Sequence, residues 1–225
     1  MSRTLAIGDV HGCLTALDTL LGFVQPRPTD QLVFLGDYID RGPDSKGVLD
    51  RLIELKRSRD VVCLRGNHEI MMLGAAQGRD DYRFWVACGG AAAMESYAGP
   101  DGVATLDDIP GTHWHFVRQA CVDWYETDSH IFVHANLHSD KPLADQITDW
   151  LHWQPVSKVC HRPHASGKTM VCGHSEQRDG VPLRLVQAVC IDTWAYGHGW
   201  LTCLDVETGE YWQANELGQT RVGWV

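Results

Sequence analysis

Short apolar runs alternate with longer amphipathic ones through the first third of the chain. Thr4 to Ile7 ends at Gly8, Leu32 to Leu35 ends at Gly36, and Val61 to Leu64 ends just before Gly66. Apolar runs of this length, bounded by glycine, predict strands. Between them Leu14, Leu17, Leu20, Leu21 and Val24 recur at helical spacing. Val48, Leu49, Leu52, Ile53 and Leu55 do the same, with Pro43 or Asp44 at the start of that helix. Pro26 to Asp30 reads as a loop. A βαβαβ order of this kind predicts a parallel sheet.

The pattern then changes. Ile70 to Gly99 reads as helical, with a break at Gly89-Gly90. Asp101 to Pro110 is a loop or short helix, and Trp114 to Gln119 a helical turn or two. Cys121 to Tyr125 and His130 to Val133 look like strands joined at Thr127-Asp128-Ser129. Met170 to Cys172, Leu185 to Ile191, Trp200 to Val206 and Glu210 to Gln213 are further strand candidates, the last two joined at Glu207-Thr208-Gly209. No linker, repeat or low-complexity tract divides the chain, so residues 1–225 are expected to form a single domain.

The polar residues worth notice fall directly after strands. Asp9 and His11 lie in Gly8-Asp9-Val10-His11-Gly12, Asp37, Asp40 and Arg41 in Gly36 to Gly42, and Asn67 and His68 in Gly66-Asn67-His68-Glu69. His134 follows Ile131-Phe132-Val133, and His174 follows Met170 to Gly173. The carboxyl ends of parallel strands face a common crevice, so these separated clusters are expected to converge. Any one of them alone is more often a solvated turn or a satisfied histidine. Together they offer two carboxylates, an amide oxygen and three imidazoles. That mixed oxygen and nitrogen set suits divalent transition metals better than Ca²⁺.

Composition narrows the setting. The chain has 225 residues, 44% of them hydrophobic, and a formal charge of −10. That charge disfavours nucleic acid as a main partner, because such binding rests on Lys and Arg. No apolar stretch is long enough for a bilayer, and Met1-Ser2-Arg3 leads straight into a strand without a signal-peptide pattern, so a cytoplasmic location is expected. The eight cysteines form no Cys-x-x-Cys pair and read as buried free thiols. Gly167-Lys168-Thr169 resembles the end of a nucleotide P-loop, but Arg162 stands where its first glycine belongs and a strand follows. No Cys-x₅-Arg run supports a cysteine-dependent phosphatase.

On these motifs, together with Val133-His134-Ala135, Gly173-His174 and Ile191-Asp192-Thr193, the sequence resembles the phosphoprotein phosphatase branch of the calcineurin-like metallophosphoesterases. It looks most similar to the bacterial and phage lambda-type protein phosphatases. The resemblance spans nearly the whole chain. It implies an α/β fold, a β-sandwich of mixed sheets flanked by helices in αββα layers. It implies two divalent metal ions, Mn²⁺ first and Fe or Zn as alternatives. Asp9, His11 and Asp37 would hold one ion, and Asp37, Asn67, His134 and His174 the other, with Asp37 bridging. A hydroxide shared by the two metals would attack phosphorus in line. His68, oriented by Asp40, would protonate the leaving group, and Arg41 would clamp phosphate oxygens beside Asn67.

The expected activity is phosphomonoester hydrolysis, as a serine/threonine or dual-specificity protein phosphatase acting on phosphorylated protein or a small phosphoester. The alternatives are diadenosine polyphosphate hydrolysis, in a related branch with the same motifs, and a phosphatase-like binding module without catalysis. The sequence departs from the resembled pattern in three places. The second phosphate-binding arginine is missing from Trp150 to Gln154, with Arg162 nearby as a candidate replacement. Asn136 stands where Gly follows His-Ala, where it could adopt positive φ. Ser175-Glu176 follows His174, and Glu176 occupies the second His position of the Gly-His-x-His ending of other branches. Tyr196 and His198, in the loop after Asp192, are candidate substrate contacts. The other histidines show no ligand spacing.

Overall fold

In the computed structural model, residues 2–99 and 102–225 are described. Met1, where the N-terminal reading starts, and Asp101, where the expected 101–110 loop starts, lie outside them. The strands of the first third are β1 (Thr4–Ile7), β2 (Gln31–Phe34) and β3 (Val61–Cys63), parallel to one another as the βαβαβ pattern predicts. They sit in a six-stranded sheet of order β11-β10-β9-β1-β2-β3, completed by antiparallel β9 (Leu201–Asp205), β10 (Glu210–Ala214) and β11 (Thr220–Trp224). A second, five-stranded sheet has the order β4-β5-β6-β8-β7. Its members are β4 (Trp124–Glu126), β5 (His130–Val133), β6 (Thr169–Cys172), β7 (Leu183–Leu185) and β8 (Ala188–Cys190). Here β5, β6 and β8 are parallel, and β4 and β7 are antiparallel edges.

Continuous apolar strands imply burial on both faces, and the side chains divide by parity. Ala6, Val33, Leu35, Phe132, Val171, Val189 and Ile191 meet between the sheets. Leu5, Ile7, Leu32, Phe34, Val61 and Cys63 point the other way, into a core shared with Leu17, Leu20, Leu49 and Leu52. Those leucines lie on α1 (Leu14–Val24) and α2 (Ser45–Ser58). Asp44 caps α2, its Oδ1 accepting the Gly47 N–H at 2.7 Å. Ile131, Val133, Met170, Cys172 and Cys190 form a third cluster on the outer face of the second sheet. The expected α/β fold of mixed sheets flanked by helices is therefore the one observed. The outer layer over the second sheet is thin, consisting of the short turns Leu143–Asp145 and Asp149–Trp153.

After β3 the helical stretch divides into α3 (Asn67–Ala75), α4 (Arg79–Trp85) and α5 (Ala91–Tyr97), and α6 (Gly111–His115) follows. The break between α4 and α5 is at Gly89, φ 123°, whose carbonyl accepts the Arg41 N–H at 3.1 Å. Two strand boundaries differ from the apolar pattern. Leu185 to Ile191 is not one strand: Gln187, at φ 52°, turns it into the β7–β8 hairpin. The chain around Cys121 joins the first sheet's edge through a bridge between Leu64 and Val122 before β4 begins at Trp124. Among the described residues no helix is long and apolar enough to cross a membrane. All eight cysteines are free thiols; six are buried as expected, while Cys88 is half-buried and Cys160 exposed.

Candidate metal centre

The strand-end clusters converge. Asp9 and His11 follow β1, Asp37 follows β2, Asn67 and His68 open α3 after β3, His134 follows β5 and His174 follows β6. All but His174 are buried. His11, Asp37, Asp40, Arg41 and His174 adopt positive φ, between 46° and 72°. Each costs on the order of 1 kcal/mol or more for a non-glycine residue. The neighbours that enforce these turns are glycines. A Cβ on Gly36 would come within 2.6 Å of Gly66 N and 3.0 Å of His134 Nδ1, and one on Gly173 would strike Asp9 Oδ1.

Asp37 is the hub. Its Oδ2 lies 3.4 Å from His11 Nε2 and 4.0 Å from His68 Nε2, while its Oδ1 lies 3.5 Å from His134 Nε2. Two sets of donors result, His11 with Asp37 and His68, and Asp37 with His134 and His174, the donor atoms of each lying within 4.8 Å of one another. Asn67 Oδ1 sits 2.9 Å from His134 Nε2 and 3.0 Å from His174 Nδ1, so the amide joins the second set. Asp9 accepts the His174 N–H at 3.0 Å through Oδ2, and its Oδ1 is buried without a hydrogen-bond partner.

Each imidazole is oriented by its far nitrogen. His11 Nδ1 pairs with the Ile39 carbonyl at 2.9 Å, His134 Nδ1 with the Leu35 carbonyl at 2.9 Å, and His174 Nε2 with the Trp153 carbonyl at 3.1 Å. With the N–H spent on a carbonyl, the remaining lone pair faces the cluster, as metal-ligating histidines require. Burial lowers all three, His134 to about 3, so they stay neutral and able to ligate. Burial alone would raise Asp37, but His134, His68, His11 and His174 around it hold it lower. Asp9 is pushed well up by burial and then by Asp192 and Asp37. Buried carboxylates without a compensating cation, an orphaned carboxylate oxygen and pre-aimed imidazoles fit two divalent cations. Those ions would use Asp9, His11, Asp37, Asn67, His134 and His174, with His68 also within reach of the first.

His68 differs from its neighbours. Its Nδ1 is 2.7 Å from Asp40 Oδ2, which also accepts the Trp85 indole N–H at 2.8 Å. Burial would lower His68, but Asp37 and the Asp40 hydrogen bond outweigh it and favour the imidazolium. Arg41 Nη1 reaches Glu176 Oε1 at 3.1 Å, the Tyr196 hydroxyl at 3.2 Å and His11 Nε2 at 3.3 Å. The Tyr196 hydroxyl in turn donates to Glu176, so Tyr196 stands at the site beside His11. Arg162 is placed elsewhere. It lines a cavity with Asn136, Trp150 and Ser157 that contains none of the metal-cluster residues. Asn136 needs no left-handed turn: its Oδ1 accepts the Leu137 N–H and its Nδ2 donates to the Pro155 carbonyl.

Two residues carry more than the sequence reading assigned them. The Glu69 carboxylate accepts the N–H groups of Asp37, Tyr38 and Gly66 at 2.8–2.9 Å and so clamps the second and third loops together. Burial and Asp37 raise it to about 7 against those bonds. Asp192 is buried close enough to raise Asp9, and is itself raised to about 7, chiefly by burial. The signal was available in each case as an acidic residue inside a motif, but its partners are main-chain groups that no spacing reveals.

The calcineurin-like phosphoesterase family profile matches residues 2–199. Among curated proteins the chain is 32% identical over 142 residues to a symmetrical bis(5′-nucleosyl)-tetraphosphatase of Janthinobacterium sp. (strain Marseille), covering 60% of this chain and 43% of that one. The corresponding protein of Pseudomonas syringae pv. syringae is 32% identical over 134 residues, 59% and 41% of the two chains. The chain thus spans less than half the length of these relatives. Among solved structures, a candidate diadenosine tetraphosphatase superposes with TM-score 0.67 at 20% identity, over 99% of this chain and 93% of the other. A cold-active protein-tyrosine phosphatase of a psychrophilic Shewanella gives 0.63 at 17%, over 99% and 80%. At such identities these structures speak for the fold alone.

The sequence relatives correct one expectation. The resemblance to the phosphoprotein phosphatase branch, with its serine/threonine or dual-specificity protein phosphatase activity, is not supported by these sequence relatives, which are symmetrical bis(5′-nucleosyl)-tetraphosphatases. The physical reason lies in what the motifs build. Residues that would hold metal ions would act on the phosphoryl group, which a phosphoprotein and a dinucleotide share, so these motifs do not tell the two apart. The chain belongs to the calcineurin-like phosphoesterase family.

Proposed function

We propose that this chain hydrolyses dinucleoside polyphosphates, with diadenosine tetraphosphate as the representative substrate and Mn²⁺ as the metal. The observation that carries the reading is the pair of donor sets sharing Asp37, combined with the activity named for the sequence relatives. Two bound cations would neutralise phosphoryl charge and supply a nucleophile at neutral pH. Fe or Zn suits the same donors. The eight free thiols support a reducing, cytoplasmic setting for this reaction.

The chain's own residues divide the remaining work. Arg41, at the rim and anchored by Glu176 and Tyr196, binds phosphate oxygens through its planar fork. Asn67 would hold the second metal through Oδ1 and could offer its amide N–H to a phosphate oxygen. His68, held by Asp40, delivers a proton at Nε2 to the leaving oxygen. In a polyphosphate that oxygen belongs to a phosphate, a weaker base than an alkoxide, so the demand on His68 is smaller than in a phosphoserine reaction.

The test is a substrate comparison with added Mn²⁺ and metal analysis of the protein as purified. Diadenosine tetraphosphate is expected to give two molecules of ADP, with kcat/KM at least tenfold above that for a phosphoserine peptide. Faster turnover of the peptide, or no turnover of the dinucleotide, overturns the proposal.

A further inference from the structure

The cavity that holds Arg162 has a volume of about 260 Å³ and is lined by Asn136, His138, Asp140, Trp150, Ser157 and Arg162 among others. It lies outside the donor sets yet is bonded to them. Asn136 stands two residues after His134, and its N–H donates to the Trp150 carbonyl at 3.1 Å. Farther along the same wall, the Trp153 carbonyl accepts from His174 Nε2, and the Val156 N–H donates to Ser175 Oγ at 2.9 Å. The segment 150–156 is therefore a partition with the metal ligands on one side and the cavity on the other.

The lining has a definite chemical character. The Trp150 indole is half-buried, with the His138 ring against it at 5.2 Å between centroids. Arg162 is exposed, and among the described residues its guanidinium takes part in no ion pair or side-chain hydrogen bond. Ser157, Asp140 and Asn136 add hydroxyl, carboxylate and amide groups. A flat aromatic face, a free cation and small polar groups match a nucleobase, its phosphate and its ribose respectively. The volume falls just under the usual range for whole small-molecule ligands, which suits part of a larger ligand.

We infer that this cavity receives one nucleoside of the substrate, the base against Trp150 and an adjoining phosphate against Arg162. The inference rests on the dinucleotide reading, because a polyphosphate cleaved at the metals must carry a nucleoside away from them. It explains why the arginine absent from Trp150 to Gln154 has a counterpart displaced to position 162. There it serves the far end of the chain of phosphates rather than the phosphoryl group under attack.

The experiment is calorimetric titration of ADP and of pyrophosphate into the Mn²⁺-loaded protein and its variants. Trp150→Ala is expected to weaken ADP about tenfold, Arg162→Ala about fivefold, and Trp150→Phe less than threefold because a stacking face remains. Pyrophosphate, which has no base but offers Arg162 the same second phosphate, is expected to bind both Trp150 variants within twofold of the unaltered protein and to weaken alongside ADP in Arg162→Ala. Among the described residues the Arg162 side chain makes no hydrogen bond or ion pair, so its variant remains informative if Trp150→Ala fails to fold. ADP affinity unchanged in Arg162→Ala, or unchanged in a folded Trp150→Ala, overturns the inference. Equal weakening of ADP and pyrophosphate by Trp150→Ala overturns it too. Hydrolysis of diadenosine tetraphosphate by the unaltered protein is read separately, so failure of the proposed activity is distinguishable from failure of this subsite.

Discussion

Residues 8–69 and residues 134–174 meet at one site but are built differently. The first region brings Asp9, His11, Asp37, Asp40, Asn67 and His68 from three successive parallel strands, each after a tight glycine-bounded turn. These side chains are almost wholly buried, and Glu69 ties two of the turns together. The second region brings His134 and His174, with residues 135–168 between them largely in irregular, half-exposed backbone. That contrast separates two tasks. A metal cradle must hold donors to fractions of an ångström, so it sits on strand ends and accepts backbone strain. Substrate recognition tolerates variation, and it falls to loops.

The comparison can be broken most severely at its junction. Asp37 is the residue that both donor sets share, so Asp37→Asn is expected to lower kcat by about a thousandfold or more. It is also expected to reduce bound Mn²⁺ measured by elemental analysis. Retention of both ions with near-normal kcat would mean that the two sets are not joined through this carboxylate.

A smaller effect sharpens the division of labour inside the first region. His68 lies within reach of the first donor set but is paired with Asp40. His68→Asn is expected to leave metal content unchanged. It should slow phenyl phosphate about a hundredfold and p-nitrophenyl phosphate clearly less, because the better leaving group needs less proton transfer. Loss of metal, with both substrates slowed equally, would move His68 from proton donor to ligand.

The smallest effect concerns stability at the opposite end of the same sheet, where Asp30 precedes β2. Burial would raise its carboxyl, but the Arg3 guanidinium and the N–H groups of Arg27 and Arg3 outweigh it and hold it at about 2. A depressed carboxyl contributes stability that is present above its unfolded value near 4 and is lost as pH falls toward 2. Asp30→Asn should therefore cost about 1–2 kcal/mol at pH 7 in urea unfolding and flatten the decline between about pH 4 and pH 2. An unchanged acid limb would show that the cradle end, not this pair, governs acid stability.

Much of the first region was legible in the chain. The runs Thr4–Ile7, Leu32–Leu35 and Val61–Leu64 are apolar without interruption, and glycine marks where each must end. The expectation of a parallel sheet and converging polar turns followed from those two facts. Less could be read of the second half. Gln187 turns a continuous-looking strand into a hairpin by adopting positive φ, a choice that Gln does not advertise. β11 escaped notice because Thr220–Trp224 is an edge strand with exposed positions and a glycine, held by pairing with β10 rather than by its own pattern.

By itself the sequence determined the donor chemistry and the fold class. Residue type and position after a strand constrain where a carboxylate or imidazole can point, and uninterrupted apolar runs ended by glycine mark the strands. Only the tertiary structure decided which atoms meet. It split Asp37 between two donor sets, brought Asp192 close enough to raise Asp9, closed the Glu69 clamp and drew Arg41 to Glu176 and Tyr196. It also put Arg162 behind the 150–156 partition rather than among the metal ligands. These contacts join residues far apart in the chain through main-chain groups and loop paths, and such distances are set by packing, which leaves no periodic trace in the order of amino acids.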